Sequence, residues 1–169
     1  MVRTRLSRAD RYEQLIDVSW GLVRQEGADA LTLGRLAERA GINTPSHELV
    51  EVAGKAVLLS RRFDREGNKR IPFLSAMSMT GSRDGERGSY PEIVDALGGQ
   101  GAQAKTDAAE LYRRVAFSVL ISNVDDHLRN HGFLWTGREG WTLSPAYDLN
   151  PTPVDLKARV LTTNIDLDE

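Results

Sequence analysis

Three polar residues in the last third of the sequence have the types and spacing that phosphoryl transfer requires. Asp125 and Asn130 stand five positions apart, and Asp148 follows after two short segments with strand character. Phosphoryl transfer needs a carboxylate beside the attacking hydroxyl and oxygen ligands that hold magnesium against the phosphates. Aspartate and asparagine are also common in loops, so the spacing alone is weak evidence. Asp148 has an alternative role as a carboxylate that caps the turn after Pro145.

The polar residues beside this set have simpler explanations as parts of the loop. Asn123 is best explained as a residue at the end of a helix that ties the loop together, and Asp126 as an acid that stabilises the loop. His127 could contact phosphate or bond a loop carbonyl. The second role is favoured, because polar groups in ordered loops usually have such partners.

A long amphipathic helix leads into this loop, and two short strands follow it. Residues 106–123 have apolar side chains at helical spacing over a wide face, which predicts a central buried helix. Residues 132–135 and 141–143 read as strands around Gly137 and Gly140. The predicted order is therefore helix, loop, strand pair and acidic loop. The apolar face of the helix comprises Ala109, Leu111, Tyr112, Val115, Ala116, Val119 and Leu120.

Two helices and a hairpin are predicted in the first 63 residues. Apolar spacing indicates helices over residues 10–25 and 32–40, and Thr32 is the predicted N-cap of the second. Thr44 and Pro45 look like the start of a further helix. The residues after them contradict it, because branched side chains on both sides of a glycine turn predict a β-hairpin over residues 49–63.

Turn-forming residues dominate positions 64–106. A short helix is predicted over residues 90–97, with Ser89 as its cap and Pro91 in its first turn. The glycine-rich residues 98–101 lack the strand-to-helix context of a phosphate-binding loop. They are therefore predicted to be a flexible connection.

Composition restricts the classes of function. The chain has 169 residues, 40% of them apolar, with a formal net charge of -2, so no global positive field is available for nucleic acid or an anionic membrane. The absence of cysteine excludes disulfides and thiolate zinc sites, and three histidines are too few for a histidine metal cage. No apolar run is long enough to span a membrane. We therefore expect a cytoplasmic globular protein.

A local excess of positive charge occurs at the start of the chain. The only acid among these residues is Asp10. The basic segment could be an arm that contacts phosphates or a solvated tail, and the sequence favours neither. Its arginines are Arg3, Arg5, Arg8 and Arg11.

The residues around the Asp125, Asn130 and Asp148 set closely resemble the C-lobe of HipA-family serine/threonine kinases. The resemblance covers about residues 40–165, in the family's order. Its main segments are VAFSVLISNVDDHLRNHGFL at 115–134 and LSPAYDLNP at 143–151. Upstream segments are AGINTP at 40–45, VLL at 57–59, RFDR at 62–65, RIPFLSA at 70–76 and GSY at 88–90.

This resemblance implies functional roles, matched position by position. Asp125 would orient or deprotonate the substrate hydroxyl, while Asn130 and Asp148 would bind Mg²⁺. The hinge that contacts ATP would include Arg62, Phe63 and Asp64, and His127 would be a further nucleotide contact. The implied fold is α+β and mainly helical, a truncated protein-kinase-like C-lobe with a β-hairpin.

The first 42 residues have a second resemblance, to the two opening helices of a TetR-type helix-turn-helix domain. It is carried by RYEQLID at 11–17, LVRQEG at 22–27 and LTLGRLAERAGI at 31–42. In that family a recognition helix follows, whereas here the hairpin takes its place. We therefore divide the chain into a TetR-like segment, 1–42, and a HipA-like kinase segment, 43–169. The alternative function is a DNA-binding regulator of TetR or toxin-antitoxin type.

Two parts of a complete kinase site are missing from this sequence. It has no glycine-containing phosphate loop and no strand lysine in a lobe ahead of the hinge, and the segment after Asp148 is short for the family. We therefore expect negligible turnover by the chain alone. The expected partners are a complementary kinase lobe, an antitoxin protein or, more weakly, DNA, and an exposed apolar surface or self-association is predicted. No membrane partner is expected.

Overall fold

The computed structural model describes residues 13, 17, 32–152 and 160–167. Glu13 and Asp17 are helical and exposed. The rest of the helix predicted over residues 10–25 lies outside the described residues, as do the four N-terminal arginines. The TetR-like helix pair is therefore not confirmed, and the division at residue 42 stays a prediction.

Helix α1 and the following hairpin agree with the sequence patterns. α1 (Leu33–Arg39) begins after Thr32, whose side chain accepts a hydrogen bond from Arg35 N. β1 (His47–Val52) and β2 (Lys55–Ser60) pair antiparallel. Ala53 and Gly54 both have positive φ, at 53° and 74°, which is the backbone of a tight two-residue hairpin turn. The predicted hairpin is confirmed, with its strands over residues 47–52 and 55–60.

The hairpin has a large exposed apolar surface. Leu49 and Leu58 are opposite each other on one face, and both are more than half exposed. Val52 and Leu59 are exposed on the other face. A two-stranded hairpin is marginally stable by itself. Burial of these four exposed side chains against another surface would therefore stabilise it.

The remaining elements form a small sheet with helices beside it. The elements are β3 (Arg65–Glu66), β4 (Lys69–Arg70), β5 (Phe73–Ser75), α2 (Ala76–Thr80), α3 (Tyr90–Gln100), α4 (Ala104–Ile121), a 3₁₀ helix (Leu128–Asn130), β6 (Gly132–Trp135) and β7 (Trp141–Leu143). The three-stranded antiparallel sheet has the order β5-β6-β7, and β6 and β7 are the predicted strand pair. The α+β class is confirmed, but a mainly helical fold is not.

The glycine-rich residues 98–101 are not a flexible connection, so that prediction is wrong. α3 begins at a capping box made by Ser89 and Glu92 and continues through Gln100. Gly101 N then donates to Leu97 O at 2.8 Å. A side chain at Gly101 would place its Cβ 2.5 Å from the same oxygen. Gly101 therefore permits the close approach of the chain to the end of α3, whereas the glycine-rich composition had predicted flexibility.

α4 is amphipathic, but the apolar face predicted for it is not the face that is buried. Tyr112 is 66% exposed and Val119 is 37% exposed. Of the seven residues predicted for that face only Leu111 is buried, so the assignment of the buried face is wrong. The helix buries Leu111 and Phe117 together with the polar residues Asp107, Glu110, Arg114 and Ser118. These polar groups have partners, which permits their burial; for example, the Asp107 carboxylate accepts hydrogen bonds from Leu143 N and the Thr142 hydroxyl.

Two apolar clusters flank α4. The first fills the space between the sheet and helices α2 to α4, and the second joins α1 to α4 and to the segment after β7. The first comprises Ala76, Tyr90, Ile93, Leu97, Leu111, Leu128, Phe133 and Leu143, and the second Ala37, Ile42, Phe117 and Ala146. Among the described residues, no helix has both the length and the apolar composition needed to cross a bilayer.

Candidate functional site

The loop that carries Asp125 begins at a sharp end of α4. Ser122 adopts a left-handed conformation (φ 59°) and closes the helix with hydrogen bonds to the carbonyls of Ser118 and Val119. Asn123 follows and is 1% exposed, and its backbone N–H donates to Ser118 O at 2.9 Å. This arrangement agrees with the interpretation of Asn123 as a residue that ties the loop to the helix.

Asn130 and Asp148 meet across 18 residues of sequence. The Asn130 Nδ2 donates to Asp148 Oδ2 at 2.8 Å, and the Asn150 Nδ2 donates to the other carboxylate oxygen. Asp148 has a φ of 58°, a left-handed conformation that aspartate and asparagine adopt more readily than most residues. The β6–β7 hairpin brings the two predicted metal ligands together.

Asp125 lies at the start of the same loop, in a turn, with its side chain exposed. Within the described residues, its carboxylate has no hydrogen-bond or ion-pair partner. The structure places it in the loop that ends at Asn130, but shows no contact with Asn130 or Asp148. A carboxylate in such a position is available to an incoming hydroxyl group.

The donor set at Asn130 and Asp148 fits magnesium. Histidine and acidic side chains of the described residues form no cluster of three that could hold a metal ion. Magnesium commonly takes only one or two carboxylates, with phosphate and water completing its shell. Neighbouring oxygens of an octahedral shell with bonds of about 2.1 Å lie about 2.9 Å apart. The 2.8 Å contact matches that spacing once the Asn130 amide presents its oxygen.

The predicted hinge residues Arg62, Phe63 and Asp64 lie beside this site. Only Phe63 contacts the segment that carries Asp148. Phe63 stacks on Tyr147, the residue before Asp148, with ring centroids 5.7 Å apart. The Asp64 carboxylate is held by Arg62 and Arg65. The hydrogen bond from Arg62 holds the pKa of Asp64 below its ordinary value. Phe63 therefore contacts the segment that carries Asp148, whereas Arg62 and Asp64 pair with each other.

Tyr147 fixes the backbone between the two predicted ligands. Its hydroxyl donates to Arg129 O at 2.6 Å. Burial and the charge of Asp148 raise the pKa of Tyr147 to about 12, so the hydroxyl remains a donor at neutral pH. Phe73 completes the aromatic group, with its centroid 6.1 Å from Phe63 and 6.4 Å from Tyr147.

His127 does not have the satisfied loop contact that was expected. Its Nδ1 is buried without a hydrogen-bond partner among the described residues. The side chain lines a pocket of about 230 Å³. Other lining residues come from positions 83–88, 128–129 and 162–163, and include Arg129, which pairs with Asp84. The pocket gives the loop that carries Asp125 an open, mixed-charge side.

Asp126 is buried and strongly bonded, as the interpretation as a loop-stabilising acid requires. Its Oδ2 accepts from the Tyr90 hydroxyl at 2.7 Å, and its Oδ1 lies 3.0 Å from His131 Nε2. The two atoms lie within ion-pair distance, but the contact does not have the geometry of a hydrogen bond. Burial raises the pKa of Asp126, but His131, Tyr90 and Ser118 outweigh it and the pKa is lowered overall.

Acid should weaken this arrangement. Because the pKa of Asp126 is lower in the folded protein than its ordinary 3.8, the unfolded chain binds the proton first. The stabilisation is complete above that value and is lost as the pH falls through the folded pKa. We expect Asp126→Asn to lower the free energy of unfolding at neutral pH and to flatten its decline below pH 3.8. Urea unfolding over a pH series measures both effects, and parallel curves would contradict the assignment.

A buried charge pair holds the segment before Asp148 against α4. Arg114 donates to Glu110 Oε1 and, at 2.7 Å, to Ser144 O. Glu110 also accepts from Asn43 N at 2.9 Å and from Arg113. The pair therefore connects α4, the linker after α1 and the strand that leads to Asp148.

Sequence reasoning missed the roles of these supporting residues, although a signal was present. Asp107, Glu110, Arg114 and Ser118 recur at three- and four-residue intervals along α4, which is a polar stripe at helical spacing. The apolar pattern on the same helix hid it. The sequence around Tyr90 offered no comparable signal, since it predicted only that this residue begins a short helix.

Comparisons with known proteins relate the chain to one family. Residues 14–168 match the family model described as HipA-like C-terminal domain. "Putative kinase Y4dM" of Sinorhizobium fredii is 34% identical over 133 residues, 69% of this chain and 32% of that protein. A protein described as "Putative kinase" from Haemophilus influenzae is 23% identical over 129 residues, 68% of this chain and 38% of its own length. The chain thus spans about a third of the length of these relatives.

Two solved structures share the fold. HipA of the Shewanella oneidensis toxin-antitoxin system, solved with HipB and operator DNA, superposes with a TM-score of 0.60 at 20% identity, over 75% of this chain and 35% of HipA. The Helicobacter pylori proinflammatory kinase CtkA gives a TM-score of 0.55 at 16% identity, over 68% of this chain and 43% of its own. At these identities the similarity extends to the fold alone.

Proposed function

The chain belongs to the HipA-like C-terminal domain family, and on that premise we propose that it carries the magnesium-binding and hydroxyl-orienting half of an ATP-dependent serine/threonine kinase site. Asp125 orients the substrate hydroxyl and accepts its proton. Asn130 and Asp148 hold Mg²⁺, which neutralises phosphate charge when bound. Phe63, stacked on Tyr147, lies where the nucleotide would meet the hinge.

The observation that carries this proposal is the contact between Asn130 and Asp148. Two residues 18 positions apart are brought to 2.8 Å by a short strand pair, with the aromatic group of Phe63, Phe73 and Tyr147 beside them. An amide and a carboxylate in contact, next to an exposed carboxylate in the same loop, are the groups that phosphoryl transfer needs.

Turnover by this chain alone is not part of the proposal. The sequence contains no glycine phosphate loop, and the one lysine ahead of residues 62–64 is Lys55, which begins β2 directly after the exposed hairpin turn. Loss of a single charge-stabilising donor typically lowers a rate by about 10² to 10³, and here a whole set of phosphate contacts would have to come from elsewhere. HipA is solved with HipB and operator DNA, and an antitoxin protein or DNA remains the partner that family membership predicts for this chain.

Metal binding tests the proposal directly. Titration with Mg²⁺-ATP by calorimetry is expected to show saturable heat for the unaltered chain and binding weaker by roughly tenfold or more for Asp148→Asn. Asparagine tolerates the left-handed backbone at this position, so the change removes charge without refolding the loop. Asp95→Asn, an exposed position on α3, makes the same charge change and should bind like the unaltered chain. Identical titrations for all three proteins would refute the metal site.

A further inference from the structure

A buried link closes the loop that carries two of the three proposed functional residues. Asp126 directly follows Asp125, and His131 directly follows Asn130. The side chains of Asp126 and His131 meet at 3.0 Å, and each residue is only 3% exposed. The link therefore joins the two ends of the loop from inside, one residue beyond Asp125 and one beyond Asn130.

Tyr90 attaches this link to the core. Its hydroxyl donates to Asp126 Oδ2 at 2.7 Å, and its ring makes an edge contact with the His131 ring, with centroids 5.7 Å apart. Tyr90 is the first residue of α3, directly after Ser89 of the capping box. The helix start is fixed by its own hydrogen bonds, so Tyr90 provides a rigid point of attachment.

The backbone of the same loop is held from a third direction. The Thr163 hydroxyl donates to Asp126 O at 2.6 Å, and the Thr162 N–H and hydroxyl both donate to Val124 O, at 3.1 and 2.8 Å. Asn164 N then donates to Gly88 O, and Tyr90 N donates to Asn164 O. Residues 162–164 thus tie the loop to the start of α3, and the carbonyls on both sides of Asp125 are immobilised.

We propose that Tyr90, Asp126 and His131 are positioning residues that set the separation of Asp125 from Asn130. The assignment of these two residues to a kinase site rests on the proposed function, whereas the link itself does not. Without the link, Asp125 would be held only by the backbone contacts of its neighbours. Asn130 would lose the side-chain constraint on His131, which would then be held only through its backbone, by the hydrogen bond from Ala76 N to His131 O, and the approach of Asn130 to Asp148 would be less fixed.

Tyr90→Phe is the sharpest test, because it removes one oxygen and keeps the ring in the core. Thr142→Val is its matched control. It also deletes a hydroxyl that donates to a buried carboxylate, that of Asp107 at 3.0 and 3.1 Å, but in the packing of α4 on β7. Two readouts on the full chain separate positioning from general stability: the NMR signals of the Asn130 side-chain amide, and the dissociation constant for Mn²⁺ as a magnesium substitute.

In Tyr90→Phe we expect the Asn130 amide signals to move towards those of an unfolded chain, and Mn²⁺ to bind roughly tenfold more weakly. Thr142→Val should change neither. Should Tyr90→Phe not fold, Asp126→Asn replaces it, because that variant keeps an acceptor for Tyr90 and removes the charge facing His131.

The outcomes separate this inference from the proposed function. If the Tyr90→Phe protein folds and its Asn130 amide signals are unchanged, the inference is overturned. It is also overturned if those signals shift but the affinity for Mn²⁺ stays the same. If the unaltered chain binds no Mn²⁺, the proposed function fails, and the Asn130 signals alone decide whether the link positions the loop.

Discussion

Replacement of Arg114 by methionine is expected to lower the free energy of unfolding by about 3 kcal/mol. Removal of one partner from a buried ion pair typically costs about 3–5 kcal/mol, because the remaining charge is left without compensation. Here the loss falls at the low end of that range, since Glu110 keeps Arg113 and the backbone N–H of Asn43. Ser144 O loses the 2.7 Å donor that holds it against α4.

The burial of Arg114 makes this effect large. Its side chain is 3% exposed, and burial lowers its pKa against the opposing effect of Glu110. Arginine nevertheless stays charged at neutral pH. Methionine fills a similar volume without any donor, so the variant isolates the loss of the hydrogen bonds and charge from the formation of a cavity.

Arg113→Met is the control for this prediction. Arg113 pairs with the same carboxylate at 2.7 Å, but its side chain is 43% exposed, and exposed ion pairs typically contribute about 0–1 kcal/mol. Urea unfolding of both variants gives the comparison. Equal losses would show that the buried pair contributes no more than its exposed neighbour, and would contradict the role assigned to Arg114.

Features that depend on neighbouring residues could be predicted from the sequence. Gly54 marked the hairpin turn, Ser89 the start of α3 and Thr32 the start of α1, and all three are observed. Each is decided by hydrogen bonds and backbone angles within about four residues. The spacing of Asp125 and Asn130 is equally local, and it placed both in one loop.

Features that depend on distant partners could not be predicted. Tyr90 and Asp126 are 36 positions apart, and Arg114 and Ser144 are 30 apart. A polar residue on a helix indicates solvent exposure unless its partner is known, so the buried face of α4 was assigned to the wrong residues. The stacking of Phe63 on Tyr147 needs the whole fold in the same way.

The second large loss of stability is expected at Gly140, in the β6–β7 turn, because this turn packs against the end of α3. Gly140 has a φ of 109°, and a Cβ added there would overlap the backbone oxygen of Gln100. A side chain at such a φ costs about 1–3 kcal/mol, and overpacking against fixed backbone costs about 1–3 kcal/mol more. We therefore expect Gly140→Ala to lower the free energy of unfolding by about 2–6 kcal/mol, measured by urea denaturation.

Gly137 in the same turn separates these two causes. Its φ is 93°, but no atom lies within 4 Å of an added Cβ, so Gly137→Ala should cost only the backbone strain of about 1–3 kcal/mol. The difference between the two variants measures how closely the turn packs on the last carbonyl of α3. Ala102 N donates to Trp141 O at 2.7 Å beside this contact, so a displaced turn would also disturb the start of β7, the strand that leads to Asp148. If both variants lose the same free energy of unfolding, glycine is needed at position 140 only for its positive φ. The end of α3 would then move away from the added Cβ without loss of stability.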